Sequence, residues 1–346
     1  MVSLDVFGTD PHGRKVHVLT IGQAPGPVLQ LLDLGATMHR LEITGGDGRR
    51  RNVLLNLATP EDYLASTAYL GSTVGRYANR IAGGRFQLDG RSYQLGVNDR
   101  GNHLHGGPDG FHRRHWTVAE SSPDEAVLEL LSPDGDGGYP GTVHVTARFR
   151  VGPDRLRLDL SATTDRPTPV NLTSHAYFNL DGDEAGTIDA HRLTLAADAY
   201  TPVDDAGIPS GELAPVEGTP FDFRQPRPIG SATRSDHPQV RAAKGIDHNV
   251  VLGDRPGPAA ILVSEATATR MELHTDQPGL QVYTGNFLDG SARSAGGRLL
   301  RQGDGIALEP QLFPDSPNRP EFPAPWLAPG QTYRSFVEWR FVTAGA

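Results

Sequence analysis

The stretch from Asn171 to Leu180, Asn-Leu-Thr-Ser-His-Ala-Tyr-Phe-Asn-Leu, carries polar side chains at every second position. A β-strand sends successive side chains to opposite faces, so the pattern predicts a strand with one face in the core and a polar face centred on His175. That polar face has no Lys, Arg, Asp or Glu. Uncharged hydrogen-bonding groups beside a titratable imidazole suit a neutral polyol. The alternative is a His and a Tyr that are satisfied within a β core.

The segment Gly305 to Pro314, Gly-Ile-Ala-Leu-Glu-Pro-Gln-Leu-Phe-Pro, contains the second candidate for chemistry, Glu309. It is a lone acid among apolar neighbours at the end of a predicted strand, where Pro310 cannot donate to a ladder. Burial would raise the pKa of this carboxyl towards the range useful for a general base. A structural carboxylate with an ion-pair partner is the alternative.

Two further segments contain an arginine beside an amide and a group of histidines. In Gly71 to Ile81, Asn79 and Arg80 could hold vicinal hydroxyls, because a guanidinium donates as a fork. A solvated turn is the alternative for this segment. In Asn102 to Gly107, His103 and His105 share a face if the chain is extended. Imidazoles also bind Zn, Cu, Fe and Ni, so a metal site competes. Because the chain has no Cys and these histidines have no carboxylate nearby in sequence, we predict no metal.

The elements that must position these residues are predicted to be strands. The chain has 346 residues, with 41 Gly and 28 Pro, and this punctuation favours many short strands over long helices. Alternation is clearest from Thr142 to Val151, and Asp89-Gly90 marks a tight hairpin between 86 and 95. One helix is predicted over residues 60–70, capped by Thr59 and ended by Gly71. We therefore predict an all-β fold: one large, mostly antiparallel β-sandwich domain over residues 1–346, with strand exceeding helix at least about threefold.

Composition also narrows the classes of partner. The net charge is −9 and there is no basic run, which argues against nucleic acid. The segment from Met1 to Asp10 lacks a basic region followed by a long apolar one, and no later stretch could span a membrane. We expect a cytoplasmic protein with no membrane partner.

Six segments, taken together and in order, resemble the aldose 1-epimerase (galactose mutarotase) family. They lie between about residues 71 and 317 and are Gly75–Ile81, Asn102–Gly107, Asn171–Leu180, Gly245–Asn249, Gln281–Asn286 and Leu308–Gln311. The resemblance implies a large β-sandwich with a sugar groove on one sheet and no cofactor. It also implies that Glu309 is the general base and His175 the general acid. The residues that it places on the sugar hydroxyls are Asn79, Arg80, His105, Tyr177, Asp247 and Gln281.

The implied reaction interconverts the α and β anomers of free hexoses such as D-galactose and D-glucose. It needs Glu309 ionised and His175 protonated, a state that the reference pKa values of about 4.3 and 6.5 bracket narrowly. We expect Asp247 to raise the pKa of His175. Of the two neighbouring histidines, the family pattern points to His105, directly before Gly106-Gly107, and leaves the role of His103 open.

Two other classes remain as alternatives. Glu309 and Asp247 could be the paired carboxylates of a glycoside hydrolase, which would lie roughly 5–9.5 Å apart. The groove could also be a carbohydrate-binding domain without catalysis, although such faces use aromatic platforms and the chain has only 3 Trp. Among related enzymes, hexose-6-phosphate epimerases are disfavoured, since the motifs supply chiefly Arg80, with Arg76 close by, for a phosphate. The sequence leaves open the preferred sugar and whether the protein is a monomer or a homodimer.

Overall fold

The computed structural model describes residues 4–253 and 256–343. Strands dominate it. The three α-helices contain only six, five and six residues: α1 Pro60–Ala65, α2 Ile229–Thr233 and α3 Pro238–Ala243. The strands, β1 to β30 in chain order, are Leu4–Thr9, Lys15–Gly22, Val28–Leu32, Thr37–Thr44, Arg50–Asn52, Thr73–Val74, Arg80–Ile81, Arg85–Leu88, Arg91–Gln94, His103–Leu104, Thr117–Ser122, Glu125–Ser132, Val143–Val151, Arg155–Thr164, Thr168–Pro169, Thr173–Ser174, Tyr177–Phe178, Arg192–Leu195, Ala197–Tyr200, Ala214–Pro215, Arg227–Pro228, Asp247–Leu252, Ala260–Ser264, Thr269–Thr275, Gly279–Tyr283, Asp289–Arg293, Leu299–Arg301, Ile306–Gln311, Trp326–Leu327 and Tyr333–Thr343.

Three antiparallel sheets form the body of the fold. One has nine strands in the order β11-β12-β13-β14-β30-β24-β23-β18-β21, one has six in the order β17-β28-β25-β22-β19-β20, and one has five, β1 to β5. The largest hydrophobic cluster contains Leu158 and Trp339 from the nine-stranded sheet and Leu280 and Leu308 from the six-stranded sheet. The two sheets thus bury a shared core, which is the predicted β-sandwich, and strand exceeds helix by more than the predicted threefold.

Local patterns explain the regular parts of the sheets. In β13, Val143, Val145, Ala147 and Phe149 are buried while the residues between them are more exposed, as the alternation predicts. The predicted hairpin is also present: β8 pairs with β9, and Asp89 and Gly90 have φ of 50° and 74°. Both central residues of this turn therefore adopt the left-handed conformation that a two-residue hairpin loop requires.

The six-stranded sheet holds four of the predicted site residues, Tyr177, Asp247, Gln281 and Glu309. Gln281 on β25 lies opposite Glu309 on β28 and Asn249 on β22, while Asp247 lies opposite Tyr283. Residues two apart on a strand share a face, so Asp247, Gln281 and Glu309 project from the same side of the sheet. Adjacent strands thereby bring together residues that are up to 62 positions apart in sequence.

The stretch 171–180 differs from its prediction as a continuous strand with one polar face. It forms two two-residue strands in different sheets, since Thr173–Ser174 pairs with β6 and Tyr177–Phe178 pairs with β28. All ten of its residues are buried. His175 lies in the break between these strands, where its backbone N–H donates to Ser72 and its carbonyl accepts from Gly71.

The predicted helix over residues 60–70 begins as expected but ends early. Thr59 Oγ1 accepts from the backbone N–H of Asp62, and Pro60 is the first helical residue. The helix ends at Ala65, because tertiary contacts hold residues 66–70 in another conformation. Tyr177 Oη donates to the Ala68 carbonyl over 2.9 Å, and Tyr69 has a φ of 54°, which no helix can contain.

Among the described residues, no helix is long and apolar enough to cross a membrane.

Candidate active site

One cavity of about 480 Å³ collects all eight residues singled out in the sequence. They come from five strands and three irregular segments, and they are Asn79, Arg80, His105, His175, Tyr177, Asp247, Gln281 and Glu309. A cavity of this size is within the usual range for a small-molecule site. The polar face proposed for 171–180 contributes two of these residues, His175 and Tyr177. Asn171 and Asn179 instead donate to backbone carbonyls, Ala78 and Leu312 for the first and Gly186 and Asp304 for the second.

The acid and the base of the expected reaction are neighbours in this cavity. His175 Nε2 lies 3.5 Å from Glu309 Oε1, and both side chains are almost fully buried. The other carboxylate oxygen, Glu309 Oε2, is buried and has no hydrogen-bond partner among the described residues. Such an unpaired buried acceptor costs free energy unless a ligand or solvent group pairs with it.

Burial moves the pKa values of the two groups in opposite directions. The pKa of Glu309 is raised well above its usual value, mainly by desolvation and then by the negative charge of Asp247, while Arg80 opposes the shift. Desolvation lowers the pKa of His175 to about 4. The expectation that Asp247 raises the pKa of His175 is therefore wrong for the net shift: Asp247 acts in that direction, but the loss of hydration outweighs it.

His105 is fixed as a neutral hydrogen-bond donor. Its Nδ1 accepts the backbone N–H of Asn79 over 3.1 Å, and its backbone N–H donates to the Asn79 carbonyl. Desolvation and the charges around it, first that of His175, lower its pKa well below 6.5. In the neutral ring the proton must then be on Nε2, which can donate to an oxygen. Both residues have positive φ, 66° at Asn79 and 51° at His105, a strain typical of functional sites.

Arg80, Asp247 and Gln281 form the charged and amide side of the cavity. The Arg80 Nε donates to Asp99 Oδ2 over 2.8 Å, and Gln281 Nε2 donates to Asp247 Oδ1 over 2.7 Å. Gln281 Oε1 is buried without a partner among the described residues. These side chains are held in place by protein contacts and still have unpaired polar atoms for a ligand.

Aromatic rings form the other wall of the cavity. The Tyr177 ring lies 5.0 Å from the His175 ring, between centroids, and its hydroxyl donates to the Ala68 carbonyl. The Tyr69 ring contacts His105, at 4.7 Å, and His175, at 5.7 Å. Three tyrosines, Tyr69, Tyr177 and Tyr283, line the cavity.

The structure separates the two neighbouring histidines. His103 is completely buried outside the cavity, where its Nδ1 is 2.6 Å from the Gly96 carbonyl oxygen and its Nε2 is 2.6 Å from Tyr139 Oη. Only the first of them is in strand β10, and the positive φ of His105 turns its side chain into the cavity. His103 is thus a structural residue.

The prediction of no metal assumed that the histidines have no carboxylate nearby, and the structure shows that this assumption is wrong. Ligand atoms of His105, His175 and Glu309 all lie within 4.8 Å of one another, so these histidines do have a carboxylate companion. A metal would need a lone pair on His105 Nε2, however, and that atom carries the proton while Nδ1 accepts from Asn79. The residues therefore fit a hydrogen-bonded ligand better than a metal ion, and metal independence remains a prediction.

The cavity also contains residues that the sequence did not identify. They include Tyr69, Asn98, Asp99, Arg100, His112, Arg113, Tyr283 and Phe287. Tyr283 could have been found, because it is two residues after Gln281 on one strand. The others lie in turns and loops with no periodic signal. Arg76, which was considered as a phosphate ligand, points elsewhere: its guanidinium donates to the Ser132, Pro140 and Gly141 carbonyls.

The chain is similar to known proteins along almost its whole length. The family profile described as Aldose 1-epimerase matches residues 17–340. The chain is 41% identical over 338 residues to the aldose 1-epimerase of Escherichia coli K12, covering 96% of this chain and 97% of that one. It is 39% identical over 345 residues to human galactose mutarotase, covering 99% of both chains.

A solved structure supports the same relationship. The galactose 1-epimerase of Lactobacillus acidophilus superposes with a TM-score of 0.87 at 31% identity, over 99% of this chain and 98% of that one. The resemblance noted from six sequence segments is thus confirmed. The chain belongs to the aldose 1-epimerase family.

Proposed function

We propose that the protein is a mutarotase that interconverts the α and β anomers of free hexoses such as D-galactose and D-glucose. The observation that carries the proposal is the 3.5 Å separation of His175 Nε2 and Glu309 Oε1 inside a cavity whose lining supplies many hydrogen-bond donors and acceptors. The two oxygens that must exchange protons in this reaction, O1 and the ring oxygen O5, are both bonded to C1. Two neighbouring proton-transfer groups can therefore reach both.

The proposed mechanism moves one proton at each oxygen. Glu309 removes the proton of the O1 hydroxyl while His175 protonates O5, and the C1–O5 bond breaks to give the open-chain aldehyde. Rotation about C1–C2 presents the other carbonyl face. The 5-hydroxyl then attacks C1, His175 takes back its proton, and Glu309 returns a proton to O1. Each proton transfer contributes on the order of 10²–10⁴-fold.

The pKa shifts change the reactivity of both groups. A raised pKa makes the Glu309 carboxylate a stronger base, and a lowered pKa makes the His175 imidazolium a stronger acid. The pair needs one proton in total. The order of the two pKa values places that proton on Glu309 in the free enzyme, whereas the reactive arrangement has it on His175. The shifts therefore make each group more reactive once the proton is on His175, and they make that arrangement the less populated one.

The remaining residues are proposed to hold and orient the sugar. His105 Nε2 donates to an oxygen on which negative charge grows, and the terminal amino groups of Arg80 can donate alongside it. Asp247 and Gln281 pair with hydroxyls through acceptor oxygens, and Asn79 offers its amide. The Tyr177 hydroxyl already donates to Ala68, so it can only accept from the sugar.

An unphosphorylated sugar is the proposed substrate, although the cavity contains more arginines than expected. Arg100 and Arg113 join Arg80 in its lining. All three side chains donate to protein acceptors, Arg80 Nε to Asp99, Arg100 Nη1 to the Asp205 carbonyl and Arg113 Nη1 to the Leu64 carbonyl. We further propose a single-domain cytoplasmic enzyme, monomeric or homodimeric, with no cofactor and with neither nucleic acid nor a membrane as partner.

Polarimetry tests the proposal. Freshly dissolved α-D-galactose and α-D-glucose should approach their equilibrium rotations faster with enzyme than without it. Methyl α-D-galactoside is the control, because its blocked O1 cannot lose a proton. Release of reducing sugar from the glycoside would instead support hydrolysis by Glu309 and Asp247. Galactose binding with no change in the anomerisation rate would support a carbohydrate-binding domain without catalysis.

A further inference from the structure

A tight turn over residues 99–102 lies at the rim of the cavity, and side chains at its start contact Arg80 and Tyr69 in the cavity lining. Asp99 and Asn102 exchange backbone hydrogen bonds, over 3.1 Å and 2.7 Å, around Arg100 and Gly101. Both central residues have positive φ, 46° and 81°, the conformation of a closed two-residue hairpin loop. Arg100 Nη1 also donates to the Asp205 carbonyl, which ties the turn to a second loop. The side chains at the start of this turn are therefore presented from a rigid backbone.

The carboxylate of Asp99 fixes the guanidinium of Arg80. Arg80 Nε donates to Asp99 Oδ2 over 2.8 Å, and the Arg80 side chain is only 7% exposed. The backbone of Gly207 packs on the same guanidinium, because a Cβ there would lie 2.9 Å from Arg80 Cζ. The two terminal amino groups of Arg80 form no hydrogen bond within the described part of the chain. Asp99 thus occupies the back of the guanidinium and leaves its forked end for the sugar.

The preceding residue, Asn98, fixes the aromatic wall. Its Nδ2 donates to Tyr69 Oη over 3.1 Å, and its Oδ1 accepts from the Leu104 backbone N–H over 2.8 Å. The Tyr69 ring in turn contacts the rings of His105 and His175. Tyr69 has a φ of 54°, an uncommon conformation for a tyrosine that surrounding contacts must maintain.

We propose that the Asn98-Asp99 turn is a positioning element for anomerisation, with Asp99 orienting Arg80 on the sugar and Asn98 holding Tyr69 against the two histidines. The inference rests on the proposed function and assigns roles to two residues outside the set expected from the sequence. Neither residue needs to exchange a proton with the substrate. Each acts through a side chain that lines the cavity.

The charge of Asp99 should also affect the pKa of Glu309 through Arg80. Arg80 lowers the pKa of Glu309, and Asp99 partly neutralises Arg80. Removing the Asp99 charge should therefore let Arg80 lower that pKa further, so that the His175–Glu309 pair loses its last proton at lower pH. The charged and titratable groups around Glu309 are Arg80 and Asp247, with His105, His175, Tyr177 and Tyr283.

The test compares Asp99→Asn with Asp205→Asn. Asp205 is an exposed acid at the same rim whose carboxylate has no ion pair among the described residues, so it controls for the loss of one negative charge. Asp99→Asn should raise KM for galactose by about tenfold, the effect of weakening one charge-assisted hydrogen bond, with a smaller change in kcat. Its kcat/KM should also begin to fall at lower pH on the alkaline side. Asp205→Asn should match the wild type in both measurements.

Further variants separate positioning from folding. Asp99→Glu keeps the charge and should restore the wild-type pH profile, while the longer side chain still raises KM. Asn98→Ala and Tyr69→Phe both remove the contact with the Tyr69 hydroxyl and should lower kcat by a similar factor.

An Asp99→Asn enzyme with wild-type KM and pH profile, or one that loses activity only in proportion to a lower Tm, would overturn the inference. If the wild type itself failed to accelerate anomerisation, the proposed function would fall first.

Discussion

His175 Nε2 lies 3.5 Å from Glu309 Oε1, beyond normal hydrogen-bond length and too close for the two groups to titrate independently. A sugar oxygen that approaches them can contact both. This relationship determines what each variant of the pair should do.

We expect Glu309→Gln to lower kcat by at least ~10²-fold with little change in KM, because the amide keeps the shape but cannot accept a proton. His175→Asn should have a similar effect. The double variant should be scarcely slower than the poorer single one, since both residues serve one proton-transfer event. Steady-state polarimetry on galactose measures all three. A single variant with kcat within a few-fold of the wild type would make that residue only a ligand.

The pH profile of kcat/KM should have a broad plateau. The His175–Glu309 pair carries one proton from about pH 4, the pKa to which burial lowers His175, up to the raised pKa of Glu309. Activity should fall below this range as a second proton binds, and above it as the last proton leaves. Unshifted groups would confine activity to the range between about 4.3 and 6.5. Rates measured from pH 4 to 10, after subtraction of the uncatalysed reaction, would contradict the shifts if activity fell above about 6.5.

Chelation should leave the rate unchanged. The Nε2 proton of His105 makes the group formed by His105, His175 and Glu309 a poor metal site. Dialysis against a strong chelator, followed by the galactose assay, provides the measurement. Loss of activity that one divalent metal restores would show that His105 binds metal rather than the sugar.

The two neighbouring histidines should separate in their effects on stability and activity. His103→Leu leaves the Gly96 carbonyl and the Tyr139 hydroxyl unpaired in the core, at about 1–3 kcal/mol for each group. It should therefore lower Tm while the folded fraction keeps most of its kcat. His105→Ala should lower kcat/KM by ~10²-fold or more with a smaller change in Tm, as expected for loss of a donor to developing charge. The reverse pattern would exchange the roles of the two residues.

Glucose 6-phosphate should be a poorer substrate than galactose. A phosphate site gathers several free cationic groups. Here only Arg80 has a free forked end, and its charge is paired with Asp99, while Arg100 and Arg113 each donate to a backbone carbonyl. Comparing kcat/KM for the two sugars checks this. A higher value for glucose 6-phosphate would show that these arginines release their protein contacts to bind the phosphate.

The sequence predicted the regular parts of the fold because they depend on local patterns. Strand β13 shows the expected alternation, and Asp89-Gly90 forms the expected hairpin turn. The conformation of segments near the cavity depends instead on tertiary contacts. Residues 66–70 leave the helical conformation because the Ala68 carbonyl accepts from Tyr177 and the Tyr69 ring contacts His175. Both partners are more than a hundred residues later in the sequence.

The sequence indicated which residues meet at the cavity, but not how burial changes their pKa values. All eight expected residues line the cavity, since the motifs identified them individually. The pKa of His175 was expected in the wrong direction, because its degree of burial depends on walls such as Tyr69 and Tyr177, which sequence spacing does not reveal. The carboxylate beside His105 also comes from a residue 204 positions later. Its proximity depends on how β28 lies in the six-stranded sheet.

The residues that line the cavity run in sequence from Ser66 to Glu309, and they come from strands and loops that meet only in the finished fold. Partly folded chains therefore have no complete sugar site, and a hexose binds the native state alone. By thermodynamic linkage, a sugar at a hundred times its Kd should stabilise the whole protein by about 2.7 kcal/mol. In sugar-rich conditions the substrate would then stabilise the folded enzyme and slow its degradation.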